Sequence, residues 1–115
     1  MSGRQASAVQ RRLEESAPVF AALGDETRLR LVARLSAGGP FSIARLTEGS
    51  RVTRQAVTKH LHVLAEAGLV SDVRVGRERL WELDRPSLDE ARRCLELISD
   101  EWDRALDRLR RLVEE

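Results

Sequence analysis

From Leu88 to Leu112, apolar residues recur at alternating steps of three and four: Leu88, Ala91, Leu95, Ile98, Trp102, Ala105, Leu109 and Leu112. This unbroken heptad rhythm keeps one seam on one side of an α-helix, the pattern of a helix that faces another helix. Leu106 and Val113 widen the seam near its end. Pro86 and Ser87 open the segment, and Ser87-Leu88-Asp89-Glu90 has the form of a capping box. A helix of about 28 residues spans about 40 Å, more than a 115-residue chain needs for its own core. The spacing therefore predicts a long C-terminal helix whose apolar face is left for something else to cover.

The chain has room for one domain. With 42% hydrophobic and only 3% aromatic residues, its core is expected to be aliphatic and modest. The charged fraction of 34% exceeds the globular average of about 25% and points to long solvated helix faces. The net charge of +1 favours no partner, but its distribution does. Between Arg51 and Arg79 six cations face three carboxylates, a net +3, whereas from Arg85 onward seven arginines face nine acids, a net −2. A basic middle and a slightly acidic tail suit a nucleic-acid surface followed by a helix that faces something else. No stretch approaches the roughly 20 apolar residues of a membrane span. Met1 to Gln10 hold no apolar signal core, so a cytoplasmic protein without membrane association is expected. The single cysteine, Cys94, excludes an internal disulfide and fits a reducing compartment.

Residues Met1 to about Ser7 are small and polar and are expected to fray. A first helix is expected from about Ala8 to Leu23, interrupted or restarted at Pro18, with Gly24 at its C′ position. Asp25 caps a second helix whose buried stripe reads Leu29, Val32, Ala33 and Leu35, ended by Gly38-Gly39-Pro40. Ser42 caps a short third helix carrying Ile43 and Leu46, closed by Gly49-Ser50. Thr53 caps a fourth, 54–67, with Gly68 at its C′ position. Two strands follow, Leu69–Val75 and Glu78–Leu83, joined by Gly76-Arg77 in a tight primed turn with positive φ at its first residue.

Two helices joined by a short Gly-containing turn and followed by a hairpin make a helix-turn-helix with a wing. The fold class expected is mainly α with a small β-hairpin (α+β). Its parts would be an N-terminal extension, 1–17, partly helical; a winged helix-turn-helix, 18–84; and a C-terminal dimerisation helix, 85–115. Turning about 100° per residue from Val57 places His60, Leu61 and Leu64 on the inner half of the fourth helix, and Gln55, Thr58, Lys59 and His62 on the outer. Gln pairs with adenine, Lys with guanine, and Thr with an edge or a phosphate, so the outer face suits major-groove readout. Arg51, Thr53 and Arg54 at the helix start, and Arg74, Arg77 and Arg79 in the wing, are the candidate contacts to backbone or minor groove.

Three segments also resemble a known family. The run from Ala22 to Leu31, ALGDETRLRL, looks like the opening signature of ArsR-type bacterial repressors, and Val57 to Val70, VTKHLHVLAEAGLV, like their recognition helix. Gly76-Arg77 followed by Trp81-Glu82-Leu83 is similar to their wing, with Trp81 where an aromatic is usual. The resemblance covers roughly Pro18 to Asp84. It implies a homodimer built from the first and last helices, hence Phe20, Leu95, Ile98, Trp102, Leu106 and Leu109 as interface candidates. It further implies operator binding and repression relieved by a signal. Where many members carry a cysteine pair on the third helix, this chain reads Phe41-Ser42-Ile43-Ala44-Arg45-Leu46-Thr47, and its last helix holds no histidine. With one Cys and two His, no metal site and no cofactor are expected.

Several residues carry a plain reading beside the functional one. His60 is read as a packing or hydrogen-bonding residue, with phosphate contact as the alternative, and His62 is left open between DNA contact and solvated side chain. Cys94 lies off the heptad seam and is expected to be an inert surface residue, with a redox role as the alternative. Trp102 is in register with the heptad and is read as core or dimer-interface packing rather than as part of an effector pocket. Arg104 to Arg111 alternate with acids and read as a solvated face with i,i+4 pairs. Arg11 and Arg12 read as part of a frayed tail. A protein-docking module on the same winged fold is the competing function. No nucleophile–base pair, convergent carboxylates or Gly-rich phosphate loop supports an enzyme. No residue identifies an effector or an operator sequence.

Overall fold

The computed structural model describes residues 3–114. Its elements run α1 (Gly3–Leu23), α2 (Glu26–Gly38), α3 (Ile43–Thr47), α4 (Arg54–Glu66), β1 (Val70–Val75), β2 (Glu78–Leu83) and α5 (Arg85–Glu114). This is a winged helix-turn-helix between two long terminal helices, 66 × 29 × 21 Å overall. Among the described residues no helix is long and apolar enough to cross a membrane.

Short polar side chains start four of the five helices. Asp25, Ser42 and Thr53 accept the backbone N–H three residues on, from Arg28, Arg45 and Ala56, at 3.0, 3.1 and 3.1 Å. Each satisfies one of the N–H groups that a helix start leaves unpaired. The fourth cap corrects the sequence reading. α5 begins before Ser87, and Asp84 accepts Ser87 N–H at 3.2 Å. The Ser87 hydroxyl lies 2.5 Å from the Asp84 carboxylate and 2.8 Å from the Gly68 carbonyl. Ser87 thus joins α5 to the end of α4 instead of capping its own helix.

The core forms around α4. Val57, Leu61 and Leu64 are fully buried. They meet Leu31, Val32 and Leu35 of α2, Leu46 of α3, Ala22 of α1, and Leu69, Val70 and Trp81 of the hairpin. The α2 stripe differs from the expected one: Leu31 faces inward, while Leu29 is 54% exposed and Ala33 lies on the surface. Both sets have helical spacing and share Val32 and Leu35, so only the neighbouring elements could select between them. Gly68, at φ +80°, ends α4 in the left-handed turn that most side chains resist. Gly24 does not adopt that conformation, and the chain passes from α1 to α2 without it.

β1 and β2 pair antiparallel from Val70↔Leu83 to Val75↔Glu78, leaving the two-residue turn Gly76-Arg77. Only Gly76 has positive φ there, +65°, as a primed turn opening on glycine requires. Phe41 adds one further rung: its N–H and carbonyl bond those of Trp81 at 3.0 and 2.8 Å, which ties the α2–α3 connection to the wing.

α1 is one helix through Pro18, not two, and it begins at Gly3, so the expected fraying to Ser7 is not observed; Met1 and Ser2 lie outside the described residues. Proline removes a single helical bond, and both halves of α1 pack on the same partner. α1 lies antiparallel on the first part of α5, with Ser16 and Val19 near Ser87 and Ala91, and Ala8 and Val9 near Leu97. Arg12, which the sequence placed in a frayed tail, pairs with Glu90 at 2.9 Å across that contact. Cys94 is also corrected: it is buried with Ala91 on the inner face of α5. The predicted i,i+4 pairs of the arginine-rich tail are i,i+3 pairs, Arg104–Glu101 at 2.8 Å and Arg110–Asp107 at 4.0 Å.

Leu61→Ala should therefore destabilise the fold by about 2–5 kcal/mol, as emptying a packed leucine site does. Gly68→Ala should cost about 1 kcal/mol from backbone strain alone, since its Cβ would meet nothing closer than Ser87 Oγ at 3.7 Å. Urea unfolding with an unchanged m-value measures both. A smaller loss at Leu61 than at Gly68 would contradict this packing.

Candidate nucleic-acid interface

α4 carries two faces of opposite chemistry. Burial of Val57, Leu61 and Leu64 fixes its rotation, and Gln55, Lys59 and His62 are consequently exposed on the other side. Gln55 and Lys59 make no side-chain hydrogen bond or ion pair to the described residues, so their polar groups are free for a ligand. Thr58 is half-buried, and its hydroxyl donates to the Arg54 carbonyl at 2.8 Å. In that rotamer it offers lone pairs and a methyl group, not a proton, to anything in the groove. Thr53 is occupied as the helix cap. Arg51 and Arg54 are exposed at the start of α4 and make no ion pair with the described residues. Val63, 40% exposed beside this face, was absent from the sequence candidates; an apolar group there is what a thymine methyl would meet.

His60 sits at the joint between α2 and α4. The Arg28 guanidinium donates to the Ala22 carbonyl at 2.6 Å and lies 3.3 Å from His60 Nδ1. Asp25 Oδ2 stands 3.9 Å from the same nitrogen. The Arg28 backbone N–H, the Arg28 charge and the nearby imidazole together hold the Asp25 carboxyl below its ordinary value, against a smaller opposing desolvation. One arginine thus fastens the end of α1, the start of α2 and α4. The hydrogen-bonding role expected of His60 is the one observed. Arg28 itself was missed, because its partners lie 6 and 32 residues away.

The wing divides its three arginines. Arg74 and Arg77 are exposed and unpaired with the described residues. Arg79 is already committed: Nε donates to Asp72 Oδ2 at 2.8 Å, and its guanidinium carbon lies 4.9 Å from the Trp81 ring centre. Such a stack is electrostatically favourable. Trp81 is buried, yet its indole N–H has no acceptor among the described residues. His62 approaches the same indole with ring centres 6.1 Å apart. Trp81 therefore joins the wing, through Arg79, to the outward edge of α4, through His62.

The six dimer candidates divide as well. Phe20 is half-buried on α1, whereas Leu95, Ile98, Trp102, Leu106 and Leu109 are all exposed on α5. From Ile98 to Glu114 only Glu101 is even partly covered. Trp102 is 66% exposed. Among the described residues no group of three or more His, Cys, Asp or Glu side chains is placed to hold a metal ion.

Residues 23–73 match a family model described as a helix-turn-helix domain. The chain is 39% identical over 93 residues to an HTH-type transcriptional regulator of Mycobacterium tuberculosis, Rv2034, covering 81% of this chain and 83% of that one. An ArsR-like transcriptional regulator from a Rhodococcus species superposes with a TM-score of 0.72 at 41% identity, covering 86% of this chain and 92% of the other. A homodimeric winged helix-turn-helix domain from Mycobacterium bovis, a possible ArsR-family regulator, shares the fold with a TM-score of 0.60 at 23% identity, over 88% and 89% of the two chains.

The Asp72–Arg79 pair should give the wing a response to acid. Arg79 holds the Asp72 carboxyl below its ordinary 3.8. A depressed carboxyl stabilises the fold above its unfolded pKa and loses that contribution as pH falls through the lower folded value. In a Trp102→Phe background, Trp81 fluorescence should hold steady to about pH 4 and change only below it. Asp72→Asn should show the altered signal already at neutral pH. An identical acid profile in both proteins would rule the pair out as the cause.

Proposed function

Because the chain belongs to the ArsR-type family of helix-turn-helix transcriptional regulators, we propose that it is a homodimeric repressor that lays α4 in the major groove of an operator. The observation that carries the reading is the bare outer face of α4. Gln55 and Lys59 stand free directly opposite the residues that anchor the helix. Gln55, Thr58, Lys59 and His62 read base edges in this proposal. Arg51 and Arg54, with Thr53 holding the helix start, grip the flanking backbone. Arg74 and Arg77 reach adjacent phosphate or minor groove, and Arg79 acts by setting the angle of the wing. DNA phosphates supply most of the affinity of such an interface and base contacts its selectivity.

The uncovered seam of α5 supports the dimer. Leu95, Ile98, Trp102, Leu106 and Leu109 form a continuous apolar strip that single chains rarely leave in water. Phe20 lies at its α1 side in the proposed interface. Two copies related by a twofold axis would set their α4 helices about one DNA turn apart, roughly 34–36 Å. The protein works on duplex DNA in the cytoplasm in this reading, and no catalytic step is part of it.

Fluorescence anisotropy with duplex from the protein's own promoter tests the DNA half. Gln55→Ala and Lys59→Ala should each weaken promoter binding by about 1–3 kcal/mol, against little change on scrambled duplex. Arg77→Ala should weaken both alike and reduce the salt slope by about one. No binding to either duplex at low salt would favour a protein-docking module instead. For the dimer, Trp102→Glu should sediment as a monomer where the parent chain is dimeric; a parent that is monomeric at micromolar concentration overturns it.

A further inference from the structure

A cleft of about 330 Å³ opens behind the helix-turn-helix, where α2 faces the end of α3 and the turn into α4. Its floor is apolar, formed by the edges of the nearly buried Leu31, Leu46 and Val57 and by the half-buried Val52. Thr27, Glu48, Gly49 and Ser50 make its walls polar. Two arginines of α2, Arg30 and Arg34, border it. They stand four residues apart on one helix face, a like-charge spacing that is unfavourable when nothing lies between the charges.

Neither charge is neutralised within the cleft. Arg30 is paired with Glu26 on the outside of α2, a contact with both side chains more than three-quarters exposed and readily exchanged. Arg34 is held rigidly, with its two terminal nitrogens donating to the Leu46 and Arg45 carbonyls at 2.9 and 3.1 Å. That uses two of the five guanidinium protons and leaves a fixed fork with donors to spare. The single carboxylate of the lining, Glu48, is drawn to Arg45 at 4.0 Å.

We propose that this cleft is a binding site for a small amphipathic monocarboxylate, its acid group on Arg30 and Arg34 and its apolar body on Leu31, Leu46 and Val52. Arginine receives carboxylates in bidentate geometry, and a compact inorganic anion would leave the apolar floor bare. At about 30 Å³ per water-sized group, the volume suits a chain of about eight carbons or one ring with a short acid arm. Because Arg34 also clamps the end of α3, an acid seated on its spare donors shares one guanidinium with the support of α3 and, through the turn, of α4, and so alters operator affinity. This second step, control of operator affinity, rests on the DNA-binding reading above; occupancy of the cleft does not.

The test is an amide NMR titration of the full chain with octanoate, with octanol as the uncharged control. Octanoate should give saturable shifts at Leu31, Leu46, Ser50 and Val52 in the millimolar range or below, and octanol should not. Arg30→Gln, a surface change that leaves the core intact, should weaken octanoate about tenfold or more. Absence of saturable shifts, equal binding of octanol, or an unchanged affinity in Arg30→Gln overturns the site. If Arg30→Gln weakens duplex binding while octanoate never binds, these cations belong to the DNA backbone. Because the titration contains no DNA, a failure of operator binding does not alter its outcome. Unchanged promoter affinity at saturating octanoate would sink only the regulatory step.

Discussion

Burial of Val57, Leu61 and Leu64 is the constraint on which the rest of this molecule depends. Every other element sends a side chain to the cluster around these residues, α5 only through the half-buried Leu88. Burying an aliphatic side chain contributes about 1.5–3 kcal/mol, and three on one helix leave α4 a single favourable rotation. The same rotation points Gln55, Lys59 and His62 at solvent. The free outer face of α4 is thus the geometric complement of the core, which explains how a small domain presents these polar groups on a rigid helix and not a loop. A change at Leu61 would disturb the core and the presentation of the outer face together, because one rotation sets both.

Polar anchors then set the angles that apolar packing leaves loose. Arg28 binds the Ala22 carbonyl and faces His60, so α1, α2 and α4 meet at one guanidinium. Phe41 bonds Trp81 through the backbone, Arg79 lies on the Trp81 ring, and His62 approaches it from α4. The wing is therefore attached to α4 by side chains as well as by the connecting chain. Gly76 makes the turn and leaves the wing tip open, with Arg77 beside it.

α5 serves two environments. Its 30 residues span about 45 Å, and only the first part is covered within the chain. Ala91 and Cys94 face inward, while Leu95, Ile98 and the residues that follow are exposed. The Arg12–Glu90 pair marks the register of α1 on this helix, and Arg12, helped by Arg93, holds the Glu90 carboxyl below its ordinary range. The proposed dimer seam and the proposed acid-binding cleft lie on different parts of the molecule, the one on α5 and the other between α2 and the turn. Self-association and ligand capture therefore need not compete for the same residues.

Much of this arrangement was determined by the sequence on its own, wherever the cause lies within one or two helical turns. Asp25, Ser42 and Thr53 cap because a side-chain oxygen reaches the N–H three residues on. Gly68 and Gly76 turn the chain because glycine tolerates positive φ at low cost, and the sidedness of α4 follows from its 3.6-residue period. Tertiary structure decided whatever depended on a second element. Leu31 and Leu29 have equal claims to the α2 stripe until α3 and α4 are in place. Cys94 sits beside the heptad seam and is buried only because α5 has an inward face of its own. Asp72 and Arg79 become diagonal neighbours through hairpin register, and Arg12 finds Glu90 across 78 residues of chain. Side-chain period records that a face is apolar; which face meets which neighbour is settled by packing, where many weak contacts add up across elements that the local sequence cannot see.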